Sequence, residues 1–193
     1  YETYQKILAQ AVTELKNDEF ADLYAEEIRK TNDLRGDLFV DECSVEGDVR
    51  AYFPETYVPG SSERMALYRE LDGLESDEQV EAFRHRLEDR FGPVPPEGEE
   101  LLGMVPLRRE GRRLGVERLM LKGGRMTLYF VSRSDSPYYA SAAFGRVIKY
   151  AVSHVRDCEL AEANGKRRMR VGGVHTVAEA RAVLDEIMSL PAE

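Results

Sequence analysis

Residues 116–131, VERLMLKGGRMTLYFV, decide the fold class of this chain. Two stretches rich in apolar residues, 116–121 and 125–131, flank Lys122-Gly123-Gly124, and this arrangement predicts a β-hairpin with a glycine turn. A second hairpin is predicted over 159–171, where an Asn-Gly pair occupies the turn.

A helix is predicted to follow each hairpin. The first helix starts at Ser136-Pro137 and continues to about His154, and the second begins at the Thr176-x-x-Glu179 capping box. Because hairpins rather than single strands separate these helices, the sheet is expected to be antiparallel, with the helices packed on one face. The predicted fold class is α+β.

Upstream of residue 116 the pattern is mainly helical. Residues 1–36 are predicted to form a helical linker, with amphipathic helices over 1–16 and around 20–28, and the main domain is expected to span 37–193. Within 38–53 the pattern predicts a strand interrupted by a Gly-Asp turn.

Three further helices are predicted between this strand and the first hairpin. One runs from Ser61 to about Gly73, and the next is opened by the Ser76-x-x-Gln79 capping box and stopped by Gly92-Pro93. The third begins at Pro95-Pro96 and ends at Gly115.

The composition of the 193 residues, 42% hydrophobic and 33% charged, supports a packed domain. The net charge of −9 comes from residues 1–96, whereas 97–193 carry a small excess of basic residues. An acidic chain is a poor nonspecific nucleic-acid binder, but an acidic face suits a basic protein surface. No apolar stretch approaches the ~20 residues of a membrane span, and no signal peptide opens the chain, so a cytoplasmic protein without membrane contact is expected.

Side chains that carry chemistry are few and scattered. The two cysteines and three histidines lack the spacing of a zinc site, and Asn164-Gly165-Lys166 does not fit a P-loop. No catalytic, cofactor or metal site is therefore expected in this chain. A thiol enzyme at Cys158, with His154 nearby in sequence, is a minor alternative.

Two runs of basic residues suggest another function. Arg108, Arg109, Arg112 and Arg113 form one run, and Lys166, Arg167, Arg168 and Arg170 form the other. An accessory nucleic-acid-binding domain that uses Arg108–Arg113 and Lys166–Arg170 is the alternative to a protein-binding function. No aromatic residues interleave with either run, as single-strand binding would favour.

The end of the helix over 77–91 is the third candidate surface. Leu87 and Phe91 lie four positions apart and are expected to face the core, which places Arg86, Glu88 and Asp89 on or beside the solvated surface. Taken alone, this pattern is typical of an ordinary charged helix face.

Three stretches in order resemble one family: SERMALYRELDGLESDEQVEAF, LEDRFGPVP and LGVERLMLKGGRM. They are similar to the C-terminal domain of the bacterial transcription-repair coupling factors, the Mfd family. The opening YETYQKILAQAV resembles the segment that follows the motor in that family and in the related RecG helicases. The likeness covers most of the chain and is strongest over 61–131.

The resemblance implies a non-catalytic, autoinhibitory protein-binding domain of an ATP-dependent DNA translocase. In that family the domain packs on the UvrB-like module of the same protein, hides the surface that recruits UvrA, and restrains the motor until RNA polymerase is engaged. DNA, ATP and Mg²⁺ are then partners and cofactors of the motor domains, which precede this segment.

The resemblance also implies site residues. Acidic residues on the helix leading into the DRFG sequence meet arginines of the UvrB-like module, and Asp89 matches one of them. The other acidic position, commonly Glu, falls on Arg86 here, and Glu88 is the nearest acidic substitute. The expected partner-binding residues are therefore Asp89, Arg86 and Glu88.

Overall fold

The computed structural model describes residues 39–191 of the chain. The helices predicted over 1–16 and 20–28 and the domain boundary near Gly36 lie outside these residues. The described elements, in chain order, are β1 (Ser44–Gly47), α1 (Ser61–Asp72), α2 (Asp77–Phe91), α3 (Pro96–Leu114), β2 (Val116–Lys122), β3 (Arg125–Phe130), a 3-10 turn (Pro137–Ala140), α4 (Ala142–Ser153), β4 (Cys158–Ala163), β5 (Lys166–Gly172) and α5 (Val177–Ser189).

The five strands form one sheet with the order β1-β2-β3-β5-β4. Both predicted hairpins are present, β2 with β3 and β4 with β5, and β3 pairs antiparallel with β5. The predicted α+β class is confirmed. The sheet is mixed rather than wholly antiparallel, because β1 runs parallel to β2. Three helices separate these two strands in the chain, and such a long connection allows a parallel pairing that a tight turn does not.

The strand predicted within 38–53 is shorter than the sequence suggests. The strand ends at Gly47, whose φ of 147° differs from the negative φ of extended strand residues. The N–H of the next residue, Asp48, donates to the Leu121 carbonyl at 2.9 Å. The Asp48 carboxylate then accepts a hydrogen bond from the Gly123 N–H at 3.0 Å, so the chain leaves the sheet at the β2–β3 turn. Val49 and Tyr52 therefore lie outside the strand.

The helix predicted from Ser136 to about His154 is also divided. Ser136 caps the 3-10 turn, and α4 begins only after Ser141, whose hydroxyl accepts from the Phe144 N–H at 3.3 Å. The reason lies in Tyr138, which is fully buried and donates its hydroxyl to the Leu114 carbonyl at 2.5 Å. This contact holds the Tyr138 ring against the end of α3, and the chain therefore forms a separate 3-10 turn before α4 begins.

The helix ends predicted from capping residues are confirmed. Ser76 and Gln79 exchange the two hydrogen bonds of a capping box at the start of α2. The Thr176 hydroxyl accepts from the Glu179 N–H at 3.0 Å at the start of α5. At the end of α3, Gly115 adopts the left-handed conformation that terminates helices.

Two apolar clusters hold the domain together, and α3 contributes to both. The larger cluster lies between one face of the sheet and the helices α3, α4 and α5. The smaller one lies between α1, α2 and the first half of α3, and its buried members are Phe53, Val58, Leu71, Val80, Phe83, Leu87, Leu102 and Val105. The helices α1 and α2 thus form a small helical layer attached to the sheet domain through α3. Within 39–191, no helix combines the length and the apolar character that crossing a bilayer requires.

Candidate protein-binding site

A groove of about 430 Å³ separates α1 from α2 on the surface of the helical layer. Its apolar floor consists of Leu67, Phe83, Leu87 and Phe91, and its rim consists of Glu70, Arg86, Asp89 and Arg90. The floor follows from the spacing of apolar residues on α2, since Phe83 and Leu87 are four residues apart and both are buried. The charged residues between them must then lie at the rim.

Two arginines of the rim are held by acidic residues of α1. Arg86 forms an ion pair with Glu70, and Arg90 forms one with Glu63. The guanidinium of Arg86 also lies 5.5 Å from the centre of the Phe83 ring. With 59% of the Arg86 side chain exposed, such a pair contributes at most about 1 kcal/mol, but it neutralises the arginine charge locally.

Among the charged residues of the rim, Asp89 takes part in neither of these ion pairs. Its side chain is exposed, and within residues 39–191 its carboxylate has no ion pair or hydrogen bond. Asp89 and Arg86, three residues apart, both line the groove, whereas the exposed Glu88 does not. Of the three site residues expected from the sequence, the structure therefore brings Asp89 and Arg86 together and leaves Glu88 on a different side of α2.

The end of α2 beside Asp89 is fixed in position by Tyr57. The Tyr57 hydroxyl donates to the Gly92 carbonyl at 2.8 Å, and its ring packs 5.6 Å from the Phe91 ring. Burial, and then the negative charge of Glu88, raise the pKa of Tyr57, so the hydroxyl remains a donor. The Asp89 carboxylate thus lies beside a helix end that a tertiary hydrogen bond and a ring contact hold in place.

Two of the four arginines in the basic run on α3 form ion pairs with carboxylates. Arg109 donates to the Asp77 carboxylate at 2.7 Å and to the Glu75 carbonyl at 2.6 Å, and Arg108 lies 3.8 Å from Asp72. The hydrogen bond from Arg109 lowers the pKa of Asp77. These residues line a cavity of about 990 Å³ in which the acidic residues outnumber the four arginines.

The basic run on β5 is divided between two faces of the sheet. Arg167 lies 3.9 Å from the centre of the Tyr139 ring and 3.6 Å from the Glu162 carboxylate, on the side of the helices. Lys166, Arg168 and Arg170 alternate with it and lie on the other face. The runs Arg108–Arg113 and Lys166–Arg170, each a candidate nucleic-acid contact in the sequence, therefore lie on different elements of the domain, α3 and β5.

The structure does not activate the Cys158 thiol. Burial, and then the charge of Asp157, raise the pKa of Cys158 to about 11. The His154 ring is stacked on Tyr150 at 3.9 Å, and its Nε2 faces Glu186 at 3.4 Å. Within residues 39–191 no hydrogen bond joins the His154 ring to the Cys158 thiol, and the arrangement of a nucleophile with its base is therefore not formed.

One residue of the groove has no sequence signal at all. Glu70 neutralises Arg86 across the two helices, yet nothing in the spacing of α1 marks Glu70 as different from its acidic neighbours. Its role depends on the relative placement of α1 and α2, which only tertiary packing sets.

The fold and the groove define a class: an α+β domain whose small helical layer presents an apolar groove with a free carboxylate at its rim. Residues 48–141 match the model of the TRCF domain family. These matched residues, about half of the chain, are therefore a TRCF domain, and the curated proteins to which the chain is similar are transcription-repair-coupling factors.

Individual relatives agree with this assignment. The chain is 26% identical over 146 residues to the transcription-repair-coupling factor of Staphylococcus haemolyticus. This alignment covers 70% of this chain and 12% of that protein. It is 31% identical over 84 residues to the factor of Rickettsia bellii, covering 44% of this chain and 8% of the relative. The chain thus spans roughly a tenth of the length of these curated relatives.

A solved structure shows the same fold. The crystal structure of a C-terminal domain of transcription-repair coupling factor superimposes with a TM-score of 0.58 at 18% sequence identity. The superposition covers 76% of this chain and 88% of that one. At this identity the likeness concerns the fold alone.

Proposed function

We propose that this domain is an autoinhibitory protein-binding module without catalysis of its own. It docks through the groove between α1 and α2 onto a basic surface of the UvrB-like module of the same protein. In that closed state it covers the surface that recruits UvrA, and engagement of RNA polymerase releases it. ATP, Mg²⁺ and DNA are bound by the translocase domains of the parent protein.

The observation that carries this proposal is the free carboxylate of Asp89. It lies at the rim of an apolar groove, beside a helix end that Tyr57 holds in place, and has no partner within the described residues. A basic partner surface would donate charge-assisted hydrogen bonds to the Asp89 carboxylate, and an apolar side chain of the partner would pack on the groove floor. Asp89 and the groove floor are therefore the parts of the site that contact the module.

The strength of the contact suits a reversible clamp. Rim ion pairs contribute about 0.2–1 kcal/mol each, and a groove of this size accommodates only a few partner side chains. A partner that binds the open state more tightly can release a closed state that is stabilised by only a few kcal/mol.

The test is the Asp89→Arg variant of the full-length parent protein. Reversing this charge is expected to weaken the closed state and raise the affinity for UvrA by about tenfold, which corresponds to about 1.4 kcal/mol. The matched control is Asp185→Arg, which makes the same charge change at an exposed position of α5, away from the groove. Equal affinities of the Asp89→Arg protein and the wild-type protein for UvrA would contradict the proposal.

A further inference from the structure

The sheet has a second face, which none of the helices α1 to α5 of residues 39–191 covers. Leu119 and Leu121 on β2, with Met126 and Leu128 on β3, are buried against α3, α4 and α5. Because successive side chains of a strand point to opposite faces, the residues between them lie on the other face. The cationic residues of that open face are Arg118, Lys122, Arg125, Lys166, Arg168 and Arg170.

The register of the strands brings these cations together on the three central strands. Lys122 on β2 is directly opposite Arg125 on β3. The acidic residues of the open face lie on the outer strands, Glu46 on β1 and Glu159 on β4. A strongly basic patch therefore exists inside a chain whose net charge is −9.

An aromatic ring lies in the middle of this patch. Tyr129 on the central strand β3 is opposite Arg118 on β2 and opposite Arg168 on β5. The Arg118 guanidinium lies 5.0 Å from the centre of the Tyr129 ring. The patch thus combines planar cationic groups with a planar aromatic group, the aromatic element that the sequence of the basic runs does not reveal.

Several of these cations have unused hydrogen-bonding capacity. The Nε atoms of Arg118 and Arg168 are buried without a hydrogen-bond partner in the described part of the chain. Arg118 shares one ion pair with Glu46 at 3.3 Å, and neither Arg168 nor Arg170 makes an ion pair within residues 39–191. The guanidinium groups of Arg168 and Arg170 therefore carry positive charge that no ion pair within residues 39–191 neutralises, and an anionic ligand on this face would pair with them.

We propose that this open face, defined by the six cations and Tyr129, binds single-stranded nucleic acid. Phosphates would pair with the arginines and lysines, and a base would stack on Tyr129 or on the guanidinium plane of Arg118. A sheet face with an aromatic residue on its central strand is a surface on which unstacked bases can lie. The proposal rests on residues outside the groove of α1 and α2 and is independent of the clamp.

The experiment measures fluorescence anisotropy of labelled oligothymidylate with the 193-residue chain at several salt concentrations. The Arg118→Gln/Arg168→Gln double variant is expected to bind about tenfold more weakly, with a salt slope reduced by about 1.4, since single strands contribute about 0.7 per neutralised phosphate. The Tyr129→Leu variant is expected to lose at least about fivefold, because stacking on an aromatic side chain contributes about 1–3 kcal/mol.

The matched control is Arg108→Gln/Arg112→Gln, which removes the same charge from α3, and its affinity is expected to stay within about twofold of the wild type. Thermal unfolding checks that each variant is folded.

Three outcomes would overturn the proposal. They are equal losses of affinity in the sheet variant and the α3 control, equal competition by polyglutamate and oligothymidylate, and the absence of binding at low salt. Comparison of oligodeoxyuridylate with oligouridylate, which differ only in the 2′-hydroxyl, shows which sugar the face prefers, and a preference for either single strand supports the proposal. Unchanged binding of the sheet variants to the UvrB-like module keeps this test separate from that of the clamp.

Discussion

The guanidinium of Arg86 on α2 forms an ion pair with the carboxylate of Glu70 on α1 at the rim of the groove. At this position the resemblance to the transcription-repair coupling factors implies an acidic residue, and an arginine would be expected to repel a basic partner. The pair with Glu70 cancels that charge within the domain. The rim therefore keeps a negative charge through Asp89.

Restoring an acidic residue at Arg86 is expected to strengthen the clamp. The Arg86→Glu variant releases Glu70 and places additional negative charge beside Asp89, so the affinity for the UvrB-like module should rise about two- to fivefold, as one added rim pair implies. Titration calorimetry of the two purified parts measures this change. The Arg113→Glu variant makes the same charge change at an exposed position of α3 and should have little effect. Weaker binding by Arg86→Glu would show that the arginine itself contacts the partner.

The junction of α3 and β2 depends on Gly115. Its φ is 84°, and a Cβ at this position would lie 2.1 Å from the buried Tyr138 ring. The Gly115→Ala variant is expected to lose at least about 3 kcal/mol of unfolding free energy, from backbone strain and the steric clash together. Gly123→Ala provides the control, because Gly123 has a φ of 62° but no atom within 4 Å of a Cβ, and it should cost only about 1–2 kcal/mol. Urea unfolding measures both, and similar losses would show that the Tyr138 contact is unimportant.

Both thiols are expected to be unreactive in the folded domain. Burial raises the pKa of Cys43 to about 12 and that of Cys158 to about 11. At pH 8 the native chain should react with a thiol reagent much more slowly than the unfolded chain, with Cys43 the slower of the two. Fast labelling of native Cys158 would instead revive the thiol-enzyme alternative.

The same pKa shifts predict how stability depends on pH. Because the folded-state pKa values lie above the unfolded value of about 9, the neutral thiols contribute stability that is fully present below pH 9. The unfolding free energy is expected to fall as the pH rises from about 9 toward 12. Comparison with a Cys43→Ala variant by urea unfolding isolates the thiol contribution, and this variant should lose less stability between pH 8 and pH 11.

Much of the fold could be predicted from local sequence signals. The two glycine-containing turns, the Ser76 capping box and the Gly115 helix end each depend on a few neighbouring residues, and the structure contains all of them. The parallel pairing of β1 could not be predicted in this way, because it depends on how three intervening helices return the chain to the sheet. The break before α4 likewise depends on the distant contact of Tyr138 with Leu114.

The candidate site could be predicted only in part. The helical spacing of α2 places Arg86 and Asp89 at the surface, and the structure agrees. The pairing of Arg86 with Glu70 joins two helices, and no local pattern encodes it. The open basic face escaped prediction for the same reason, since its cations come from three strands whose register is set by tertiary packing.

The most direct measurement of the clamp is binding of this 193-residue chain, in trans, to the isolated UvrB-like module, with UvrA as competitor. We expect saturable binding that weakens as salt is added, is displaced by UvrA, and is reduced about tenfold by Asp89→Arg. No binding at about millimolar concentration, the effective concentration that a short tether supplies, would contradict the clamp. Binding that UvrA does not displace would contradict the masking role.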